Sequence, residues 1–466
     1  MIQKTAIVWF RQDLRRHDNA ALLHAIAEGF SVLPVYILDD VNAGDWKMGG
    51  ASRWWLHQSL TKLDKSFSGH MHFYKGDAAK IISKLVKDSG AEAVFWNRCY
   101  EPWRIARDKD IKDALTKSGV ETKSFNSYML WEPWEVLKDD GTPYKVFTPY
   151  YRKGCLSRAE PHKPRDSAAR ISYAKFQKSG GVDDLGLMPD ITWYKGMEAF
   201  WMPGEEGALK RLEEFIDDEL KGYKLGRNFP TKSNVSKLSP YLHYGEISVN
   251  KVWHDIRHAG VAQRCEADAD NFCSELGWRE FSNYLLYYCP TLPEKPLQKK
   301  FEKFPWDKNA KALQAWQRGQ TGIPIVDAGM RQLWQTGWMH NRVRMVVASF
   351  LIKNLLIHWR EGEDWFWDTL VDADLANNAA SWQWVAGSGA DAAPYFRVFN
   401  PVTQGERFDP DGAYVRHYVP ELQNVPDKYI HCPWDSPNPP ANYPAPIVDL
   451  KESRVRALEA FQTIRN

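Results

Sequence analysis

The chain has only six cysteines in 466 residues, and no C-x-x-C pair among them. Cys99, Cys155, Cys265, Cys273, Cys289 and Cys432 are scattered, which argues against a disulfide framework and suits a reducing compartment. No apolar run approaches the ~20 residues of a membrane span. Arg11 and Asp13 interrupt the N-terminus before a signal-peptide core could form, so a cytoplasmic location without a membrane partner is expected. Net charge is also scarce, at +2. A polyanion would therefore have to meet a local basic patch. Two nucleotide signatures are missing. The turn after the first apolar run reads "RQDLRRHDN", without glycine, which excludes a G-x-G-x-x-G dinucleotide site, and no Walker A sequence occurs. Asp372 and Asp374 begin a calcium-loop pattern, but Asn377 and Gln383 stand where its Gly and Glu belong, so no metal is expected.

What is abundant is aromatic: 22 Trp, 20 Tyr and 21 Phe. Most will pack a core; some are candidates to stack on planar ligands or to carry electrons. The length implies two or three domains. Over 1–130, β-branched and aromatic runs at 5–10, 31–38, 71–75, 93–96 and 121–125 alternate with amphipathic stretches. That alternation predicts a Rossmann-like α/β domain, a doubly wound five-stranded parallel sheet. Periodicity fades over 131–202, which reads as an interdomain linker wrapped over the surface. From 203 to 466 the pattern is helical, so a larger all-α domain is expected. Its first helix begins at Pro203 and ends at Gly222, and further helical periodicity covers 268–288, 324–335, 338–359 and 364–370.

Three stretches could carry chemistry. "LGRNFPTKSNVSKLSPYLHYGEIS" is a polar loop running into a helix, suited to a phosphate. "SELGWREF" sets Glu275 and Arg279 four apart on an otherwise apolar helix, where an unbonded carboxylate is costly. "TGWMHNRVRM" carries Asn341, Arg342, Arg344 and Met345 into what reads as a buried helix.

These blocks, with "VWFRQDLRRHDNAAL", "DADLANNAASWQWVAGSGADAAPYFRVFNP" and "YPAPIVDLKESRVRAL", closely resemble the photolyase/cryptochrome family over essentially the whole chain. The resemblance implies that the helical domain binds FAD. "MHNRVRM" and Asn378 resemble DNA photolyases that repair cyclobutane pyrimidine dimers, and "GASRWWLHQSL" and "VAGSGADAAPYF" are most similar to the bacterial class III subgroup. (6-4) photolyases carry a His pair where His340 and Asn341 stand here. Plant cryptochromes tend to have Asp at Asn341, an aliphatic residue at Met345, and Asp at Asn378. A photoreceptor without repair and a (6-4) photolyase are thus the alternatives, and the absence of a signalling tail after the helical domain speaks against the first.

The site residues follow by resemblance. Tyr223, Ser236, Lys237, Leu238 and Ser239 would hold the phosphates and ribityl chain, with Val235 where many members have Thr. Arg344 would pair with Asp372, Asp374 would bond the flavin ring, and Asn378 would bond N5. Glu275, Arg279 and Asn341 complete the cofactor set. Excited FADH⁻ would pass an electron to a flipped-out dimer and recover it. Glu275, Asn341, Met345 and Asn378 are the expected catalytic residues. Trp278 and Trp384 would wall the lesion, and Arg227, Arg342, Arg397 and Gln404 would meet the DNA. Trp382, Trp359 and Trp306 match the chain that photoreduces the flavin. The expected partner is UV-damaged DNA, met by a monomer. A second, antenna chromophore is expected in the α/β domain, methenyltetrahydrofolate or alternatively 8-hydroxy-deazaflavin. Trp103 and Arg104 stand where one folate-binding subgroup has Asn and Glu, and no antenna residues follow from sequence.

Overall fold

Five short strands build the N-terminal sheet, apolar at its centre and more polar at its edges: β1 (Thr5–Phe10), β2 (Ser31–Leu38), β3 (His72–Lys75), β4 (Ala93–Asn97) and β5 (Glu121–Phe125). Their order is β3-β2-β1-β4-β5, and every pairing is parallel. β2 is buried along its whole length, as expected for a strand with helices on both faces. The winding reverses between β1 and β4, so the carboxyl ends of these strands are where such sheets bind ligands. The computed structural model describes residues 4–167, 170–177, 179–391 and 396–465.

Contacts divide the chain into two units. The first holds Met1–Trp193, Trp201–Lys221 and Ser236–Pro290; the second holds Tyr194–Phe200, Gly222–Val235 and Thr291–Asn466. This division cuts through the span 203–466 inferred from periodicity. In the first unit, helices Glu205–Glu214, Val249–Ala262 and Glu266–Tyr288 follow the sheet. In the second, Pro324–Thr336, Asn341–Ser349, Trp359–Thr369, Leu375–Ala386 and Leu450–Gln462 surround a core that includes Trp316, Trp359 and Trp382. Among the described residues no helix is long and apolar enough to cross a membrane.

Two sequence expectations need adjustment. The run 338–359 is not one helix. It is Asn341–Ser349, then a π turn over Phe350–Asn354, then a break where Leu356 takes φ of +54°. Apolar residues continue across the break, and neither glycine nor proline marks it. The stretch after 131 is also more than a surface wrap. Tyr150, Tyr151 and Cys155 are buried, Val32 of β2 donates to Ser172, and Ala174 donates back to Val32.

The short helix Ser239–His243 is anchored from both ends of the turn that follows it. Tyr244 donates to the Ser52 carbonyl at 2.9 Å. Glu246, fully buried, accepts from Gly204 N at 2.7 Å and from Trp55 Nε1 at 3.2 Å. Burial raises its carboxyl from 4.5 to about 8, and the nearby Glu205 pushes the same way. The folded carboxyl thus keeps its proton up to about pH 8, while the unfolded one keeps it only up to about 4.5. Stability from this group is complete below 4.5 and is lost as pH rises through 8. The Glu246→Gln variant, which cannot ionise, should therefore gain on the wild type between pH 6 and pH 9, by on the order of 3 kcal/mol in denaturant unfolding.

Candidate functional site

In the second unit the site is built on the N-terminus of helix Asn341–Ser349. Gly337, at φ of +66°, ends the preceding helix, and His340 caps the new one by accepting the Arg342 N–H at Nδ1, 3.2 Å. That bond leaves the ring proton on Nε2. Burial, with Arg227, Arg342 and Arg344 around it, holds the His340 pKa down to about 3, so the imidazole is neutral in ordinary buffers. The polar residues are not interior, as the sequence implied. Asn341 is exposed, and Arg342, Arg344 and Met345 are half-buried. They form a rim around the cap.

Arg344 is fixed at two points. Its Nε donates to the Met339 carbonyl at 2.8 Å, and one terminal nitrogen reaches both oxygens of Asp372, at 2.9 and 3.1 Å. Asp374 caps the next helix, Leu375–Ala386, accepting from Asn377 N at 2.8 Å and Asn377 Nδ2 at 2.7 Å. One turn on, Asn378 donates through Nδ2 to the Glu363 carbonyl at 3.0 Å, which leaves its amide oxygen to face away from that bond. The Glu363 side chain is fully buried, and neither carboxyl oxygen has a hydrogen-bond partner. Burial raises its pKa well above the ordinary value, so it is held protonated. Glu363 escaped the sequence reading because "REGEDWF" reads as a solvated acidic helix.

The tryptophans of the same unit divide by burial. Trp382 lies in the core, edge-on to Phe366 at 5.0 Å and to Trp316 at 6.3 Å. Gly362 gives it room, since a Cβ there would lie 2.1 Å from the indole. Trp359 is buried and stacks on His358 at 5.4 Å; His358 in turn meets the half-buried Trp306 at 4.9 Å. Trp384 is half-buried at the edge of this core.

Cations gather beside the rim. Arg342 donates to Asn228 Oδ1 at 2.5 Å and lies 4.4 Å over the Phe408 ring. Burial lowers its pKa, and Arg227, Arg407 and Arg397 add repulsion, as expected where a polyanion is to be met. Arg227 sits 5.5 Å from the ring of the buried Tyr223, and the exposed Arg397 sits 5.1 Å from Phe399. Gln404 is half-buried on helix Pro401–Phe408, which also carries Arg407. Asn228, which aims Arg342, was not foreseen.

The first unit holds the remaining predicted residues. Ser236–Ser239 form a bend in which Lys237 is left-handed, φ of +52°, and Leu238 right-handed. Such an alternation turns successive N–H groups to one side and makes an anion nest. Lys237 is half-buried, and burial together with Arg211 lowers its pKa. Glu275, Trp278 and Arg279 share helix Glu266–Tyr288, and all three are half-buried. Arg279 donates to the Tyr128 carbonyl at 3.0 Å and to Glu280 at 2.9 Å, and it stacks over the Tyr128 ring at 4.0 Å. These contacts tie its guanidinium to its own unit.

A separate, shallow cleft opens past the carboxyl ends of β1 and β2. Arg11, Arg104, Arg107, Trp46, Trp103, Asp39 and Asp40 are among its lining residues. Arg104 and Arg107 lie over the Trp103 ring at 4.6 and 4.9 Å. The Trp103 Nε1 is buried without a hydrogen-bond partner, a donor left for a guest.

Residues 6–167 match the family described as DNA photolyase, and residues 272–463 match the FAD binding domain of DNA photolyase. The chain belongs to the photolyase/cryptochrome family. A deoxyribodipyrimidine photo-lyase from Agrobacterium fabrum is 48% identical over 100% of this chain and 99% of its own length. Cryptochrome-1 of Arabidopsis thaliana is 39% identical, with 98% of this chain and 70% of that protein covered. The crystal structure of a bacterial class III photolyase from Agrobacterium tumefaciens superposes with a TM-score of 0.96 at 47% identity, covering 100% of this chain and 98% of that one. This agrees with the class III resemblance of the sequence. The family's FAD-binding domain is therefore present, and within the second unit the Arg344–Asp372 pair and the unbonded Glu363 beside Asn378 are a polar setting that fits such a cofactor.

Proposed function

We propose that the protein repairs cyclobutane pyrimidine dimers in UV-damaged DNA under blue light, as a cytoplasmic monomer. The observation that carries this reading is the rim of helix Asn341–Ser349, where Asn341 and Met345 stand one turn apart beside the Arg344–Asp372 pair. When bound, reduced FAD supplies the electron that opens the cyclobutane ring and takes it back, with no net redox change. The chain's residues do the rest. Ser236, Lys237, Leu238 and Ser239, with Tyr223, hold the cofactor's phosphates and ribityl chain. Arg344 brings positive charge to the flavin's edge, which favours its reduced anion. Asp374 bonds the flavin ring, and Asn378 offers a neutral amide to its N5. Glu275 bonds one base of the dimer, Trp278 and Trp384 wall it, and Asn341 and Met345 floor it. A dimer stacks and pairs poorly, so its extrusion costs less than that of intact bases, and this favours damaged sites.

The (6-4) alternative is opposed by Asn341, where that group carries the second histidine, and by the neutrality of His340, which a proton donor would not have. The photoreceptor alternative predicts no preference for damage. A duplex with one cyclobutane dimer should therefore be bound more than about tenfold tighter than the undamaged duplex. Equal affinity would remove the repair reading. Binding should weaken with salt, and Arg342→Ala should lower the slope of log Kd against log salt by about one.

The cleft past β1 and β2 is the place for the antenna chromophore. Its indoles suit the planar heterocycle that methenyltetrahydrofolate and a deazaflavin both carry, while its arginines are already paired, Arg104 with Glu101 and Arg107 with Asp39 and Asp108. Trp103→Ala should weaken chromophore retention by about tenfold and leave the FAD content unchanged. The absorption spectrum and mass of the released chromophore separate the two candidates.

A further inference from the structure

The stretch read from sequence as connecting chain supplies a stack of rings behind Trp278. Phe147 lies flat on the indole, with centroids 3.7 Å apart and planes 11° apart. Tyr151, one turn on, lies parallel to Phe147 at 5.6 Å and 8°. Phe281 closes the group edge-on, 5.9 Å from Phe147 and 6.0 Å from Trp278. Gly277 admits Tyr151: a Cβ at that position would fall 2.6 Å from the Tyr151 ring. Phe147 and Tyr151 are buried, while Trp278 is half-buried. The tryptophan is thus backed on one face and only partly covered as a whole.

The geometry points to Phe147 as a positioning residue for lesion recognition: it occupies one face of Trp278, fixes the plane of the indole, and reserves the other face for a base of the dimer. This rests on the reading that Trp278 walls the lesion. A half-exposed tryptophan without backing would have to be ordered on binding, at a cost in affinity. Set rigidly beforehand, it discriminates a flipped dimer from bases that remain stacked in the duplex. The glycine in "SELGWREF" then serves recognition indirectly, by letting Tyr151 brace Phe147.

The test compares Phe147→Ala, Phe147→Leu and Phe147→Tyr with Trp278→Ala and the wild type. Kd is measured for a duplex with one cyclobutane dimer and for its undamaged counterpart, and each variant is first checked for FAD content and flavin photoreduction. Phe147→Leu keeps the bulk without the flat ring and guards against a folding failure in Phe147→Ala. Both should weaken dimer binding about tenfold and leave undamaged binding unchanged, whereas Phe147→Tyr should bind as the wild type does. Adding Phe147→Ala to Trp278→Ala should cost less than about twofold more, since the two act as one unit. Phe147→Leu binding the dimer normally while Trp278→Ala is impaired would overturn the proposal. Equal weakening of both duplexes would do so too, as a merely structural role. If Trp278→Ala itself binds the dimer normally, the wall assignment fails, and this inference with it.

Discussion

Trp382→Phe should leave the bound flavin oxidised under blue light, yet spare repair by protein reduced chemically beforehand. Trp382 is buried in the core of the FAD-binding domain, held between Phe366 and the space that Gly362 provides. Phenylalanine fits that space but gives up an electron far less readily than indole. In the electron path that the family resemblance implies, His358 stands between Trp359 and Trp306, and burial and Arg360 lower its pKa to about 4. A neutral imidazole there does not oppose a positive charge moving between the two indoles. Photoreduction, followed by flavin absorbance in the presence of a thiol, should fall to background in Trp382→Phe. Single-turnover repair by the dithionite-reduced variant should match the wild type. Loss of both would mean that Trp382 serves the repair step and not only activation.

The second large effect is expected at Arg344. Asp372 keeps only 4% of its side chain exposed, while Arg344 keeps 25%. Removing the arginine takes the compensating charge from a nearly buried carboxylate, and removing the carboxylate leaves a cation that can still reach water. The two halves of the pair are therefore unequal. Arg344→Ala should destabilise the protein by about 3 kcal/mol and release most of its FAD, whereas Asp372→Asn should cost about 1 kcal/mol. Arg344→Lys restores charge but not the second anchor at the Met339 carbonyl, so it should fall between them. Denaturant unfolding and the flavin content of purified protein read both effects. Equal costs for the two substitutions would show that burial does not control this pair.

The central strands were legible because parallel strands buried on both faces write continuous apolar runs, and the runs at 5–10 and 31–38 match β1 and β2; the edge strand β5, ETKSF, is polar and was marked by its place in the alternation. The break inside 338–359 was not legible, because a π turn and a left-handed Leu356 leave the hydrophobic pattern intact. Resemblance supplied Asn341, Arg344 and Met345. It did not supply their setting at the exposed rim of a histidine-capped helix, which depends on where Gly337 ends the preceding one. Glu363, Asn228 and Phe147 were hidden for a common reason. Each acts through a partner distant in sequence or through burial, and neither leaves a local signature. The cleft past β1 and β2 was similarly invisible, although Trp103 and Arg104 had already marked it as unlike a familiar folate pocket.

The central claim is light-driven repair, and one measurement meets it directly. Reduced protein is mixed anaerobically with an oligonucleotide that carries a single cyclobutane thymine dimer, exposed to blue light, and the dimer is followed by its restored thymine absorbance and by chromatography. The dimer should disappear in the light and persist in the dark, while a (6-4) lesion in the same sequence should persist in both. A cyclobutane dimer that survives illumination by fully reduced, FAD-loaded protein would contradict the account.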